Sequence, residues 1–554
     1  MTPRNLMSAC TLLLFFVWRL PCDQVIAFSR TDGTVFLSNG LRLNGERASD
    51  AGGFAYYGIK YGQAKRFEQS HLNTDFAYLN DTNRPKKGPV CQQTLYPVLM
   101  LVNGRNLTMS EDCLYLDIYL PPENSTHNGS WPILFWIHGG ALRIGDKDMF
   151  DGTILAKATD AIVVVMNYRI GAFGWFSTGN DFAPGNYGLG DVKLALNWTV
   201  DNIAAFNGDA DKITIFGVSS GGTLVSAMML DDYVRNKVSA AIPMSGRLFW
   251  PASVQKNPRE VAARFAARLD CPTSTLEEMV ECLRAASVDD ILRVYMGMAT
   301  PLGWFGTMPL FQPVIDGLHI RASPRTILKD RASNKLNNRD FGRYIGGIMQ
   351  GDAGHHIQRS NPEWLWDHTT HTYNTTERRL TQFFATLRGS CNEQAVSESR
   401  ARAALHFYNV SQELSTVEYR QVLIDIISEV MFLYPELVEY LHYAEERPED
   451  SYLYINSFDP GFQNVGAFHG VDYLHLFRGP LDSILGNLTS DALTEALQHY
   501  IRTIAHTGHP PGIYTDKTGN PNQYEAIDQN ATWSVKSTDL RERLRFLESL
   551  VAPC

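Results

Sequence analysis

The sequence predicts an α/β fold with a large, mostly parallel central sheet covered by helices on both faces. Three observations favour it: apolar, strand-like runs recur along the chain, they alternate with helical stretches, and they contain almost no polar residues. A strand that is apolar on both sides is buried on both faces, which is typical of parallel sheets. The runs are Pro132–Ile137, Ala161–Met166, Lys212–Phe216, Ser239–Met244, Tyr344–Met349 and Tyr452–Asn456.

A covering helix is predicted before the third run. Between Asp191 and Phe206, apolar residues recur at the spacing of one helix face: Val192, Ala195, Leu196 and Ile203. Such a stripe is expected to pack on the sheet.

Composition limits the class of protein. The chain has 554 residues, 44% of them hydrophobic and 19% charged, as in an ordinary globular protein. A net charge of −10 argues against a nucleic-acid partner, which requires a basic face. No Pro/Gly/Ser-rich linker or internal repeat divides the chain, so residues 28–554 are predicted to form one domain.

Residues 1–27 have the pattern of a secretory signal peptide. Arg4 precedes the apolar run Leu12–Trp18, which is too short to span a bilayer, and Val25–Ala27 offers a cleavage site. No later segment predicts a membrane span. We therefore expect a secreted, extracellular protein.

Glycosylation motifs agree with secretion. Asn-x-Ser/Thr recurs more often than chance spacing gives. One of these motifs, at Asn197, lies in the helical stretch beside Trp198 and is expected to be too packed to carry a glycan. The remaining acceptors are Asn80, Asn106, Asn124, Asn128, Asn374, Asn409, Asn487 and Asn530.

The cysteines also fit an oxidising compartment. Loss of the signal peptide removes Cys10 and Cys22 and leaves an even number. Close spacing suggests the disulfides Cys91–Cys113 and Cys271–Cys282. Two arrangements remain open for the others: Cys391 pairs with Cys554, or Cys554 links two chains into a disulfide-bonded dimer.

Ser219 stands at a strand–turn–helix transition. The sequence Gly217–Gly221 has the form Gly-x-Ser-x-Gly, follows a β-branched run and precedes the apolar stretch Thr223–Leu230. In that context the motif predicts a strained turn that exposes the serine hydroxyl in front of a helix N-terminus. Ser219 is therefore the candidate nucleophile. The alternative is a small-residue turn that only packs a helix onto a sheet.

A serine nucleophile needs a base and an orienting acid. The chain order expected on such a sheet is Ser, acid, His. Asp352 directly follows the run Tyr344–Met349, and His469 follows the run Tyr452–Asn456. These two residues are the candidate acid and base.

A site for the oxyanion is predicted after the first run. There the chain reads His138-Gly-Gly-Ala141, and the lack of bulky side chains exposes backbone N–H groups. With the N–H of Ser220 they would form a donor nest for negative charge.

At this point the chain resembles the type-B carboxylesterase/cholinesterase-like family of α/β-hydrolases, with features similar to the arthropod carboxylesterases. The resemblance covers nearly the whole mature chain. It is carried by Ser110–Ile118, His138–Ala141, Asn167–Gly171, Pro184–Leu189, Phe311–Gly317 and Gly466–His469.

The resemblance implies a role for each candidate. Ser219 is the nucleophile, His469 is the general base and acid, and Asp352 orients His469. The oxyanion donors are Gly140, Ala141 and Ser220, and the same two short disulfides are implied. No cofactor and no metal ion are expected.

Four positions depart from the family pattern. Val218 and Ser220 stand where the family usually has Glu and Ala, and Gly351 stands where it often has a charged residue. Val218 removes a carboxylate beside the nucleophile, so the pocket should attract cations less. Asp352 stands where Glu is frequent, and its shorter side chain must come closer to His469.

The sequence thus predicts a secreted carboxylic ester hydrolase that acts on a small ester through an acyl-enzyme at Ser219. One alternative is a catalytically weak, cholinesterase-like adhesion module, which the intact set of catalytic residues disfavours. A lipase is a second alternative. A cholinesterase is disfavoured because no Trp lies between Cys91 and Cys113 to bind a quaternary ammonium group.

Overall fold

The chain is described by a computed structural model. It covers residues 32–48, 52–76, 85–94, 108–122, 125, 129–250, 253–298, 300–302, 306–308, 310–334, 342–354, 357, 372–387, 394–461, 466–477, 490–511 and 522–552.

The strands are, in chain order, β1 (Thr34–Phe36), β2 (Arg42–Asn44), β3 (Glu46–Arg47), β4 (Phe54–Lys60), β5 (Gly62–Gln63), β6 (His71–Leu72), β7 (Val90–Cys91), β8 (Met109–Ser110), β9 (Tyr115–Tyr119), β10 (Trp131–Ile137), β11 (Ile162–Met166), β12 (Gly208–Val218), β13 (Ala240–Met244), β14 (Thr300–Leu302), β15 (Gly306–Met308), β16 (Arg343–Met349), β17 (Ser451–Asn456), β18 (Gln523–Ile527) and β19 (Trp533–Ser537).

The α-helices are α1 (Thr153–Thr159), α2 (Gly171–Trp175), α3 (Tyr187–Asn202), α4 (Ser220–Met229), α5 (Asp232–Arg235), α6 (Pro258–Ala267), α7 (Leu276–Ala285), α8 (Val288–Met298), α9 (Pro324–Asn334), α10 (Tyr373–Thr386), α11 (Gln394–Phe407), α12 (Thr416–Ser428), α13 (Tyr434–Glu446), α14 (Val471–Leu476), α15 (Asp491–Thr507) and α16 (Leu540–Val551). A π-helical turn, Glu429–Leu433, joins α12 to α13, and short 3₁₀ turns cover Lys147–Met149, Ile203–Phe206 and Pro448–Asp450.

The central sheet orders its strands β19-β18-β17-β16-β13-β12-β10-β11-β9-β4-β3. From β18 to β11 every neighbouring pair is parallel. The strands at the two edges, β19 on one side and β9, β4 and β3 on the other, pair antiparallel. The predicted α/β fold with a mostly parallel sheet is confirmed, and its antiparallel edges were not predicted.

The sheet is buried on both faces at its centre. Successive side chains of a strand point to opposite faces, yet every residue of β10 and of β11 is buried. Helix α4 packs on β12 and β13, and α15 packs on β10 and β12. The apolar runs that predicted these strands are therefore core sequences.

The predicted covering helix exists with shifted bounds. It begins at Tyr187 as α3 and ends at Asn202, and residues 203–206 continue as a 3₁₀ turn. The predicted stripe is buried throughout, with Val192, Ala195 and Ile203 at 0% exposure. The strand β12 that follows extends to Val218, which sets Ser219 at the end of the sheet.

Strands from residue 46 to residue 537 enter this one sheet, so distant parts of the chain share a core. Among the described residues, every helix is too short or too polar to cross a bilayer.

Candidate active site

Ser219 occupies the turn between β12 and α4. Its backbone has φ 57° and ψ −125°, which L-residues rarely adopt. The neighbouring strand β13 holds this turn from one side, because the N–H of Ser219 donates to the carbonyl of Met244 at 2.8 Å. The helix that begins at Ser220 fixes it from the other. This is the strained turn that the Gly-x-Ser-x-Gly pattern predicts.

The two glycines of the motif are required by the neighbouring strand. A Cβ on Gly217 would lie 2.6 Å from the carbonyl oxygen of Ile137, and a Cβ on Gly221 would lie 2.1 Å from the same atom. Both distances are shorter than any van der Waals contact. Glycine at these positions lets the end of β10 approach the elbow.

His469 and Asp352 form a hydrogen-bonded pair. His469 Nδ1 lies 2.7 Å from Asp352 Oδ1. Because a carboxylate only accepts, Nδ1 is the donor, and the basic nitrogen of the neutral ring is Nε2. Asp352 is fully buried, and its second oxygen accepts from Ser245 Oγ at 2.7 Å and from the N–H of Met349 at 2.9 Å. Each carboxylate oxygen of Asp352 thus has hydrogen-bond partners of its own.

The candidate residues lie at the carboxyl edge of the parallel strands. Ser219 follows β12, and Ser245 follows the next strand, β13. The N–H of Ser245 donates to Gly347 in β16 at 2.8 Å, and the N–H of Gly351 donates to Ala467 at 3.1 Å. These bonds connect neighbouring strand ends in sequence across the sheet. Carboxyl ends of parallel strands are where α/β proteins place their sites.

Ser245 was not identified from the sequence. Its backbone has φ 47°, and its hydroxyl connects the elbow side of the sheet to Asp352. The next residue is held equally tightly, since a Cβ on Gly246 would lie 1.7 Å from the carbonyl oxygen of Ser219. The only sequence signal was the position of Ser245 directly after a predicted strand.

The loop after β10 lies directly against the elbow. A Cβ on Gly139 would lie 2.7 Å from the carbonyl oxygen of Val218. Gly140 has φ 118° and Ala141 has φ 54°, so this backbone turns sharply beside Ser219. The first residue of α4 is Ser220, whose N–H belongs to the unsatisfied first turn of that helix. The loop after β10 and the first turn of α4 therefore both lie beside Ser219, where the oxyanion site is predicted.

His138 has a structural environment. Its ring stacks on Tyr168 with 4.4 Å between centroids, and Nδ1 lies 2.8 Å from the carbonyl oxygen of Gly139. Burial lowers the pKa of His138 to about 4, so the ring is neutral at physiological pH. It supports the loop and is not a second acid–base group.

A second buried carboxyl lies close to the pair. Asp472 accepts from Tyr454 Oη at 3.0 Å and from the N–H of Tyr473 at 2.8 Å. Burial, followed by the negative charge of Asp352, raises the pKa of Asp472 to about 6. The hydrogen bond to His469 is made by Asp352, so the acid predicted from the sequence is the one in contact with the imidazole.

The π-helical turn between α12 and α13 borders His469. It carries Phe432, whose ring centroid lies 5.2 Å from that of His469. One residue before the turn, Ser428 Oγ accepts from the N–H of Ala353 at 2.9 Å. A π turn inserts one residue into a helix and often occurs at functional sites. This π turn was not predicted from the sequence.

The structure contains both short disulfides, Cys91–Cys113 and Cys271–Cys282. Three of the predicted glycosylation sites are exposed, at Asn374, Asn409 and Asn530. The other predicted sites and the two remaining cysteines lie outside the described residues: Asn80, Asn106, Asn124, Asn128, Asn487, Cys391 and Cys554. Within the described part of the chain, His, Cys, Asp and Glu form no group of three suited to a metal ion.

The chain is similar to known proteins over most of its length. Residues 32–547 match the family model described as "Carboxylesterase family". The chain is 31% identical to liver carboxylesterase of Sus scrofa over 457 residues, which cover 78% of this chain and 76% of that protein. It is 30% identical to carboxylesterase 1E of Mus musculus over 467 residues, covering 80% and 78%. It is 29% identical to bile salt-activated lipase of Mus musculus over 515 residues, covering 89% and 82%.

Proposed function

This chain belongs to the carboxylesterase family and is a carboxylic ester hydrolase, and from that premise we propose that Ser219, His469 and Asp352 carry out its reaction. The observation that carries the proposal is the 2.7 Å hydrogen bond between His469 and Asp352, at the same sheet edge as the strained turn of Ser219. A nucleophile, a base and an acid that orients the base are the parts that acyl transfer needs.

In the proposed reaction each of these residues has a separate role. His469 Nε2 accepts the proton of Ser219 Oγ as the oxygen attacks the ester carbonyl. The N–H groups of Gly140, Ala141 and Ser220 hold the negative oxygen of the tetrahedral intermediate. His469 then gives its proton to the leaving alcohol, and an acyl-enzyme remains. Water, deprotonated by His469, attacks that acyl group, and Ser219 recovers its proton as the acid leaves.

We propose that the substrates are uncharged esters. Val218 stands beside the nucleophile with an apolar side chain, and no Trp lies between Cys91 and Cys113. A choline ester would therefore find neither a neighbouring carboxylate nor the face of a Trp in that segment, where Tyr96 is the one aromatic residue of the sequence. Long-chain esters form a second candidate class, because the similar proteins include a bile salt-activated lipase.

Hydrolysis of p-nitrophenyl esters of increasing acyl length, beside acetylthiocholine, tests this proposal. We expect turnover of neutral esters, little turnover of acetylthiocholine, and complete loss of both in Ser219→Ala and in His469→Ala. Circular dichroism of both variants controls for folding. Turnover near wild type in either folded variant would exclude the mechanism, and turnover only of the longest esters would indicate a lipase.

Covalent labelling distinguishes an enzyme from an adhesion module. A fluorophosphonate probe reacts with an activated serine and should modify the wild-type protein at Ser219 and leave Ser219→Ala unmodified. Absence of labelling in wild-type protein would favour the adhesion module.

We propose that the protein is secreted. Support comes from the signal-like residues 1–27 and from the exposure of Asn374, Asn409 and Asn530. Expression of the full chain in a eukaryotic cell line should deliver it to the medium with glycans on these three residues. Peptide mapping after glycosidase treatment measures this, with Asn197 as an internal control that is expected to be unmodified. Unglycosylated protein retained in the cells would contradict the proposal.

A disulfide-linked dimer through Cys554 is proposed as the oligomeric state to test. Non-reducing electrophoresis of secreted protein should show a dimer that Cys554→Ser abolishes. A monomer in both cases would exclude this link and leave pairing of Cys391 with Cys554 as the arrangement to map by mass spectrometry.

A further inference from the structure

The side chain of Ser220 makes contacts that the proposed role of its backbone N–H does not require. The proposed function uses only its N–H, and related elbow motifs usually carry alanine there. Ser220 is nevertheless buried, with 8% of its surface exposed. Its Oγ accepts a hydrogen bond from the N–H of Leu142 at 3.2 Å. Leu142 follows Ala141, so the hydroxyl contacts the far end of the loop that supplies the other oxyanion donors.

Tyr168 lies between Ser220 and the near end of the same loop. Its hydroxyl donates to the carbonyl of His138 at 2.7 Å, and the Ser220 side chain lies next to that hydroxyl. The contacts of Ser220 therefore extend from the N–H of Leu142 to Tyr168, and through Tyr168 to His138.

The loop between these two ends needs such support. Gly140, Ala141 and Leu142 have φ of 118°, 54° and 58°. For the two residues that are not glycine, this conformation is unfavourable and persists only where surrounding contacts impose it. The hydroxyl of Ser220 provides one of those contacts directly and a second through Tyr168.

We propose that the Ser220 hydroxyl is a positioning group of the oxyanion site, which holds the N–H groups of Gly140 and Ala141 at a fixed separation from the N–H of Ser220 itself. The inference rests on the proposed function, since it concerns the same reaction. The Ser220 hydroxyl should stabilise the transition state more than the bound ester, because a tetrahedral oxyanion needs these donors more than a ground-state ester carbonyl does.

Ser220→Ala tests the proposal, since alanine removes only the hydroxyl and suits the first turn of a helix. We expect kcat for a p-nitrophenyl ester to fall by about 10-fold, between the effect of one neutral hydrogen bond and that of a lost oxyanion donor. KM should stay within about two-fold of the wild-type value, because the contacts that bind the substrate in its ground state are unchanged. The affinity for a trifluoromethyl ketone, which forms a tetrahedral adduct with Ser219, should fall by the same factor as kcat.

Ser226→Ala is the matched control. Ser226 lies on the same helix and is fully buried, and its hydroxyl donates to Glu439 at 2.9 Å and accepts from Leu248 at 3.1 Å. Its loss should lower the melting temperature while kcat and inhibitor affinity stay near wild type. An equal loss of kcat in the control would mean that Ser220 acts through stability alone, which would overturn the proposal.

Tyr168→Phe gives a second, independent variant. It removes the link to His138, so kcat and inhibitor affinity should fall together. In the double variant Ser220→Ala/Tyr168→Phe, both quantities should be little lower than in Ser220→Ala, because the two substitutions interrupt the same set of contacts. Wild-type kcat and inhibitor affinity in Ser220→Ala would overturn the proposal; should that variant fail to fold, the same result in Tyr168→Phe would do so. In both cases, labelling of wild-type Ser219 would show that the proposed function itself stands.

Discussion

At the scale of single residues, the best-defined part of the site is the acid. Asp352 has no exposed surface, and its oxygens are divided between partners: Oδ1 bonds His469, and Oδ2 bonds Ser245 and the backbone of Met349. This division fixes the plane of the carboxylate. The 2.7 Å distance to His469 Nδ1 shows that the short side chain of Asp reaches the imidazole at a position where the family often has Glu.

Replacement of Asp352 by Asn should therefore be costly. An amide in this position permits the wrong histidine tautomer, and we expect kcat to fall by roughly 10³–10⁴-fold with a small change in KM. Steady-state kinetics measure the effect. Asp472→Asn is the control, because this second buried carboxyl bonds Tyr454. A nearly normal rate in Asp352→Asn together with a large loss in Asp472→Asn would reassign the acid.

Ser245→Ala should give a smaller loss. It removes one of the donors to Asp352 Oδ2 and leaves the other, the N–H of Met349, in place. The value of one such bond predicts a loss of kcat of about 3- to 15-fold. A pH–rate profile checks the cause, because a displaced Asp352 should also move the limb that reports the base. If kcat and the profile both stay at wild-type values, Ser245 does not orient the acid.

The contrast between Ser219 and Ser245 shows which residues a sequence can reveal. Ser219 belongs to a motif of five consecutive residues, Gly217–Gly221, so its proposed role can be recognised from the sequence alone. Ser245 acts through a contact with a residue 107 positions away. The same holds for the hydroxyl of Ser220, whose partners Leu142 and Tyr168 come from other loops. Such contacts exist only after folding.

At the scale of elements, the elbow depends on how closely β10 approaches α4. The backbone contact at Gly221 leaves no room for any side chain, since its Cβ would lie 2.1 Å from the carbonyl oxygen of Ile137. Gly221→Ala should force the helix away from the strand, with a loss of several kcal/mol in stability and of most activity, because backbone atoms cannot yield as a side chain can. Thermal unfolding and ester hydrolysis measure both.

Gly297→Ala is the matched control for that prediction. Gly297 lies in α8, where a Cβ would meet nothing within 4 Å. Alanine in an exposed helix position is favoured over glycine by about 1 kcal/mol, so this variant should be as stable as the wild type or more stable. Equal destabilisation by both substitutions would show that the close approach at Gly221 is not what restricts the position.

Elements were predicted where they are buried on both faces. The six predicted strands lie within one to four residues of β10, β11, β12, β13, β16 and β17, because a continuous apolar run leaves little choice of structure. The outer strands β3, β4, β9, β18 and β19 were not predicted. Polar residues interrupt their apolar pattern: β19 has no buried residue, and β9 contains Asp117 although it is fully buried. Sequence signals weaken where one side of a strand faces solvent.

At the scale of the whole molecule, buried carboxyl groups connect stability to pH. Glu525 of β18 is fully buried beside Tyr500, and burial raises its pKa to about 8. Burial likewise raises the pKa of Glu439 to about 7 and that of Asp472 to about 6. The folded protein therefore prefers these groups protonated. Their contribution is most favourable at low pH, and it is lost as pH rises through their folded-state pKa values.

Glu525→Gln tests this linkage with little change in shape. Glutamine stays neutral, so the variant avoids the cost of a buried charge, which grows by about 1.4 kcal/mol for each pH unit between the unfolded and folded pKa values. At pH 5 the two proteins should melt at similar temperatures, and at pH 9 the variant should melt several degrees higher. Glu281→Gln, at an exposed helix position, should melt with the wild type at both values. A difference between Glu525→Gln and wild type that does not grow with pH would mean that Glu525 ionises in the folded protein as easily as in the unfolded chain.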